Sequence, residues 1–254
     1  MDKRSGTMRY RTIADTIREE IALGEHGPGE ALPSQSALAD RFNTTVSTVR
    51  QALRLLEEEG LLSFQHGVGS FVSGLSDDHR SLQLSSFSGA LASQREEIET
   101  KVIGTHREVE APEVERWFSG SERRFALLER LRLFSGRPIV FQRSYIPRRY
   151  AEVLKRYDPE KGLYGELSRS LHRVIAVAEE ELQAVTGPGD VAELLKVSLT
   201  EPLLCSRRIS KTIAGEPVLF DLAYMVGGYV RLELNRRGRL SEFKYAVDVG
   251  GGAG

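Results

Sequence analysis

An α+β chain of two domains is predicted by three features of these 254 residues. Between Leu32 and Val72, two short amphipathic patterns joined by a tight turn precede a glycine-rich stretch flanked by alternating residues. A polar run, Ser73 to His79 (SGLSDDH), then interrupts the pattern. Beyond it, a Gly-x-Pro turn leading into a strand occurs twice. Helices with a small β-wing are expected in the first domain, and an antiparallel sheet with helices in the second. The expected boundaries are 1–74, a linker over 75–83, and 84–249.

Residues Met1 to Thr7 read as a loose tail. Tyr10, Ile13, Ile17 and Ile21 then fall at helical spacing up to Gly24. Gly27-Pro28-Gly29 is a turn. Ser34 is a plausible N-cap of a second helix, whose apolar face is Ala37, Leu38, Ala39 and Phe42. Asn43 follows, a residue that tolerates the left-handed conformation at a helix end. Thr44 or Thr45 caps a third helix with Val49, Ala52, Leu53 and Leu56 turned inward, and Gly60 ends it. Two short helices across a tight turn form a helix-turn-helix, whose second helix can enter the DNA major groove. Its other face carries Val46, Ser47, Arg50, Gln51 and Arg54, all compatible with a groove, and arginine can bond guanine bidentately. Leu61–Gln65 and Ser70–Val72 read as strands of a wing with His66 and Gly67 near its tip.

This stretch resembles the winged helix-turn-helix of GntR-family bacterial transcription regulators, through the pattern LPS…LA..F….TVR.AL..L..EGL……G.G.FV. The resemblance implies DNA contacts from Ser34, Thr45, Val46, Ser47, Thr48, Arg50, Gln51, Arg54, His66 and Gly67. Two positions depart from the family pattern. Val46 stands where the family usually has arginine, and Ser36 and Ala37 replace an acidic–basic pair. The operator is therefore expected to differ from the usual family sequence.

Composition limits the alternatives. The formal net charge is −1, and through Gly74 eight Lys and Arg face ten Asp and Glu. Phosphate neutralisation drives non-specific DNA binding, so the first domain is no generic basic module and its charge must be sorted by face. Arg50 and Arg54 lie near the start of the recognition helix, Glu57, Glu58 and Glu59 at its far end. No run is long and apolar enough for a membrane span, and the N-terminus lacks a signal-peptide core. Cys205, the single cysteine, sits in an apolar run and reads as a buried small hydrophobe. His26, His66, His79, His106 and His172 are scattered without metal-ligand spacing. There is no Gly-x-Ser-x-Gly, phosphate loop or paired-cysteine motif. No cofactor or metal is expected.

In the second half, Leu84–Glu99 reads as a helix, Lys101–Glu110 as a strand, and Pro112–Phe118 as a short helix packing through Trp117 and Phe118. Ser135–Ile146 and Ala214–Met225 match, each preceded by a strand, Phe125–Phe134 and Leu203–Ile213. Two similar hairpins in one antiparallel sheet follow. Helices are expected over Arg149–Tyr157, Leu163–Leu171 and Asp190–Leu195, and Gly250–Gly254 should be disordered.

This half, from about Leu84 to Leu234, is similar to the UTRA effector domain of the HutC subfamily, which has a chorismate-lyase-like fold. The resemblance rests on R.R….GRP………Y.P, the following LY, a Glu-rich strand before a helix, and the second G.P……..Y hairpin. Arg130 and Arg132, two apart on a strand, point to one face and read as an anion clamp. The plainer alternative is a salt-bridged strand face with Glu129 and Glu122 as partners. The resemblance adds Gln142, Tyr164, Glu180 and Tyr224 as effector contacts, though core packing explains each equally well. Gly162 replaces the serine of phosphosugar-responsive relatives, which weakens a phosphosugar reading.

The expected protein is a cytoplasmic homodimeric regulator, more often a repressor, on palindromic operator DNA. A small anionic effector (phosphosugar, phosphonate or carboxylate) should modulate it. A small-molecule enzyme of lyase-like fold with a vestigial head is the alternative.

Overall fold

The computed structural model describes residues 3–65, 68–73, 98–159, 162–237 and 240–247. Helix α1 (Lys3–Leu23) is continuous. It starts at Lys3, so the expected loose tail is helical from there. No proline interrupts this stretch, and a lone Gly6 costs only roughly 1 kcal/mol. Gly24, at φ +82°, ends the helix.

Helix α2 (Gln35–Arg41) is capped by Ser34, whose hydroxyl accepts from the Ala37 amide at 3.2 Å. Asn43 adopts φ +46° directly after the Phe42 cap. Helix α3 (Val46–Glu58) is capped by Thr45, whose hydroxyl accepts from the Thr48 amide at 3.2 Å. Its C-terminus closes on two bonds, from the Leu61 amide to the Leu56 carbonyl and from the Gly60 amide to the Glu57 carbonyl, both 2.8 Å. That pairing needs a left-handed residue at Gly60, observed at φ +74°. Strands β1 (Leu62–Gln65) and β2 (Gly69–Val72) form the antiparallel wing, and Ala31 bridges to Phe71 beside it. The core joins Ile13, Ile17 and Ile21 of α1 to Leu38, Val49, Leu53, Leu56, Leu62 and Val72. Ala37, expected on the apolar face, is exposed.

The second unit is built on six antiparallel strands in the order β3–β4–β5–β8–β7–β6. These are β3 (Ile98–Glu110), β4 (Arg124–Phe134), β5 (Arg137–Pro147), β6 (Ile175–Thr186), β7 (Pro202–Thr212) and β8 (Pro217–Val226). The expected linker and nearly all of the expected helix over 84–99 lie outside the described residues; Ile98 and Glu99 begin β3. The repeated segments become the hairpins β4–β5 and β7–β8, joined through β5 and β8. Arg143 lies opposite Leu222, positions that correspond in the repeat, so an approximate two-fold axis passes through that pair. Ser135 and Gly136 turn the first hairpin at φ +48° and +77°, two consecutive positive values that a two-residue turn of this twist demands.

One sheet face packs Leu131, Phe141, Cys205 and Tyr224 against helix α6 (Gly189–Leu195). On the same side, the short helix α4 (Pro112–Glu115) leads into Phe118, and the Trp117 ring lies 5.0 Å from Phe220. The other face packs Ala126, Leu128 and Ile146 against helix α5 (Leu163–Leu171) and the 3-10 segment Arg148–Lys155. A ribbon absent from the sequence reading, β9 (Val230–Arg237) with β10 (Leu240–Val247), lays Tyr245 and Val247 over Val140, Ala223 and Met225.

The two units touch just past α5. Val174 is buried in the core cluster of the N-terminal unit. Next to it, Arg173 donates through Nη1 to the Ala22 carbonyl at 3.3 Å.

Candidate DNA-reading face and effector cavity

Helix α3 buries one side and presents the other. Val49, Ala52, Leu53 and Leu56 are fully enclosed. Ser47, Arg50, Gln51 and Arg54 are exposed, and Val46 is 37% exposed. At the helix start, the hydroxyls of Thr45 and Thr48 bond each other at 2.9 Å. Amides unsatisfied at such an N-terminus suit a DNA phosphate. Arg50 donates through Nε to the Gln35 side-chain carbonyl of α2 at 3.2 Å. Gln35 was not foreseen, and it steers the guanidinium across the gap between the two helices. The acidic end of α3 is partly compensated: Arg18 grips Glu59 at 2.8 and 3.0 Å. The charge is thus sorted along the helix, as the sequence count demands. His66 and Gly67 lie outside the described residues.

The second constellation lies on the sheet face turned to α5, where buried polar strand residues converge on Asp221. The Asp221 carboxylate accepts from Gln142 Nε2 at 2.7 Å, from the Ser144 hydroxyl, and from the Tyr164 hydroxyl at 3.2 Å. Arg130 donates to Ser144 Oγ at 2.5 Å and lies 3.7 Å from Asp221. Its guanidinium also sits 5.6 Å over the Tyr157 ring. Arg132 donates to Gln142 Oε1 at 3.1 Å. Buried carboxylates need such partners, because desolvating an unpaired charge is costly.

Beside this network opens a small cavity of ≈ 20 Å³, continuous with solvent at its mouth. Gln142, Tyr164, Asp221, Ala223 and Met225 form the floor with Arg208, and Glu180, Ser206 and Tyr245 complete the wall. Glu180 accepts from the Ser206 hydroxyl and from the Tyr245 hydroxyl, the latter at 2.6 Å. The Arg208 guanidinium lies 5.8 Å over the Tyr164 ring and is almost entirely buried. Burial works against its charge, yet Tyr164, Glu180 and Asp221 around it hold its pKa above the ordinary value. Burial pushes the Tyr164 phenol far above its usual range; Arg208 works against the shift and Asp221 adds to it. Tyr245 is raised likewise by burial and by Glu180. Both phenols therefore remain hydrogen-bond donors across the physiological range.

Of the six residues anticipated for an effector, Gln142, Tyr164 and Glu180 line this cavity. Arg130 and Arg132 share a face as expected, but they lie on the strand next to the floor, bonded to Ser144 and Gln142 and outside the cavity lining. Glu129 and Glu122, their suggested partners, pair instead with Arg143 and Arg149. Tyr224 belongs on the opposite face, among Phe141, Cys205 and Leu131. It alternates with Ala223 and Met225 along β8, and alternation sends its ring away from the cavity. Asp221, Arg208, Ser206 and Tyr245 were missed. For Asp221 a signal existed: one charge inside the apolar run Val218 to Met225, at the position that repeats Gln142. Arg208 faces Asp221 across its hairpin as Arg130 faces Gln142 across the other.

A winged helix-turn-helix with an exposed second helix, attached to a sheet domain with a polar cavity, defines a ligand-responsive DNA-binding protein. Residues 9–72 match the model of the gntR family of bacterial regulatory proteins, and residues 93–231 match the UTRA domain. The mannosyl-D-glycerate transport/metabolism system repressor MngR of Escherichia coli is 31% identical over 203 residues, spanning 77% of this chain and 82% of that protein. Two solved structures share the fold of the second unit. One is the C-terminal domain of the histidine utilization repressor from Pseudomonas syringae (TM-score 0.50, 20% identity, 56% of this chain and 99% of that one). The other is a GntR-family regulator from Bacillus cereus (TM-score 0.51, 12% identity, 56% and 99%). The chain belongs to the GntR family of bacterial transcription regulators, in the branch that carries a UTRA effector domain. It is a DNA-binding regulator and not an enzyme. Among the described residues, no helix is long and apolar enough to cross a membrane.

Proposed function

We propose that the chain is a cytoplasmic homodimeric repressor that leaves its operator when a small anionic metabolite enters the cavity beside Asp221. The carrying observation is the coexistence of an exposed α3 face with a buried arginine, Arg208, lining a polar cavity in the second unit. A dimer is the arrangement that would set two recognition helices on a palindromic operator with two-fold symmetry. Ser34, Thr45 and Thr48 meet phosphates at the helix ends. Val46, Ser47, Arg50, Gln51 and Arg54 face base edges. In the cavity, Gln142, Tyr164 and Glu180 join Arg208 on the effector, while Arg130 and Arg132 add positive potential from the neighbouring strand. MngR is named as a repressor of a mannosyl-D-glycerate system, which agrees with repression and with a carboxylated ligand.

Helix α5 is the natural link between the sites. Tyr164 in its first turn lines the cavity. Arg173 and Val174, just past its end, hold the N-terminal unit. A shift of α5 by the ligand would change how the heads are held, provided the ligand distinguishes the two arrangements.

The test is fluorescence anisotropy with the upstream intergenic DNA and a scrambled control, at two salt concentrations, with phosphosugars and carboxylates added in turn. Sequence-selective binding released by one anion is expected; equal binding to both DNAs would sink the proposal. Arg50→Ala should cost roughly 1–3 kcal/mol at one base pair per half-site.

A further inference from the structure

Arginines of the N-terminal unit are partnered in two ways. Arg18 bonds the carboxylates of Asp15 and Glu59, and Arg41 that of Glu20. Arg50, on the exposed side of α3, is held by a neutral group: its Nε donates to the side-chain carbonyl of Gln35 at 3.2 Å. Among the described residues, no ion pair engages it. A carboxylate in that place would orient the guanidinium but cancel its charge beside DNA. A carboxamide orients it and leaves the charge whole for the polyanion.

The backbone fixes where Gln35 stands. It is the first residue of α2, directly after Ser34, whose hydroxyl caps the helix at the Ala37 amide. Leu38 and Ala39 of α2 pack in one cluster with Val49, Ala52 and Leu53 of α3. Gln35 is half-buried, and Arg50 is exposed just past the first turn of α3. A recognition helix reads bases with the residues near its start. An arginine chain loses much rotamer freedom when it is fixed on a base, and a bond already made in the free protein lowers that cost. Only Nε is taken by Gln35. Nη1 and Nη2, at the far end of the fork, suit the paired acceptors O6 and N7 of guanine.

We infer that Gln35 is a positioning residue for base recognition. It holds Arg50 end-on toward a guanine in each half-site and sets how sharply that base pair is discriminated. The inference rests on the reading of Arg50 at a base edge and adds the residue on which its selectivity depends.

Fluorescence anisotropy of the full chain tests it, with the upstream intergenic operator, a set of its single-base-pair variants and the scrambled duplex, at two salt concentrations. Arg50→Ala locates the base pair, as the one where discrimination is lost. Gln35→Ala should reduce discrimination at that same pair by roughly three- to tenfold, the worth of one hydrogen bond, and leave the ratios at all other pairs unchanged. Weakened packing of α2 alone would lower affinity for every duplex by one factor, so a uniform fall overturns the inference. Gln35→Glu keeps the acceptor but adds a charge. It should retain the selectivity that Gln35→Ala loses, with weaker binding to every duplex, the scrambled one included, and most of all at low salt. In the Arg50→Ala background, Gln35→Ala should change nothing further at that pair. Full discrimination in Gln35→Ala, with Arg50→Ala still losing it, overturns the role of Gln35 and leaves the Arg50 reading standing. Unchanged discrimination in Arg50→Ala itself sinks both.

Discussion

Asp221 on β8 ties strands β4 and β5 to helix α5. It receives Gln142, Ser144 and Tyr164 and balances Arg130. Asp221→Ala would leave the Arg130 guanidinium buried without its counter-charge. A loss of about 3–5 kcal/mol is expected, read from urea unfolding, with Asp221→Asn costing less because it keeps the acceptor oxygen. The two cavity phenols make a pH prediction. Tyr164 and Tyr245 have folded pKa values above that of a free phenol. The protonated forms are favoured in the fold, so their contribution is whole below about pH 10, the ordinary tyrosine value. Above it, the unfolded chain ionises first and stability falls. Unfolding midpoints measured from neutral to strongly alkaline pH should drop steeply above that point, and Tyr164→Phe should flatten the drop. A profile unchanged by that substitution would mean the Tyr164 shift is not coupled to folding.

At the scale of elements, α3 shows how much of a helix is local chemistry. Its cap, Thr45, its inward positions and its Gly60 stop all follow from residue types in order. Thr45→Ala should cost about 1 kcal/mol of stability. It should also weaken operator binding beyond that, if the Thr45–Thr48 hydroxyl pair meets a phosphate as proposed. Circular-dichroism melts and anisotropy on one preparation separate the two effects. The hairpins were equally legible, since turn residues and alternation set register. The ribbon β9–β10 was not read, although Arg231 to Leu234 alternate and Gly238 stands between the two strands. Without a partner sheet in view, such a stretch looks like a polar tail. The start of α1 failed for the opposite reason: Lys3 to Thr7 carry no apolar stripe, yet nothing in them breaks a helix.

For the molecule as a whole, the decisive contact is the one between units. Arg173 and Val174 join the end of α5 to α1. Arg173→Ala should leave effector affinity and operator affinity nearly unchanged when each is measured separately. The fall in operator affinity on adding effector should shrink. Linkage adds a reciprocal check, because operator DNA must weaken effector binding by the same factor in the parent chain. If Arg173→Ala responds as the parent does, the signal travels by another route.

Order along the chain was enough to define the winged head, the paired hairpins, the helices between them and the burial of Cys205. Each of these is a short-range consequence of caps, turn residues and apolar period. It was also enough to put Arg130 and Arg132 on one face. What it could not decide is which charges meet. Arg130 and Arg132 stand one strand away from the cavity, Arg208 lines it, and Tyr224 turns away. Those outcomes depend on the pairing of β5 with β8 and on the ribbon that closes over them, contacts between segments distant in sequence. Periodicity says which residues share a face; only the assembled sheet says which of them stand at the opening and which are walled in behind it.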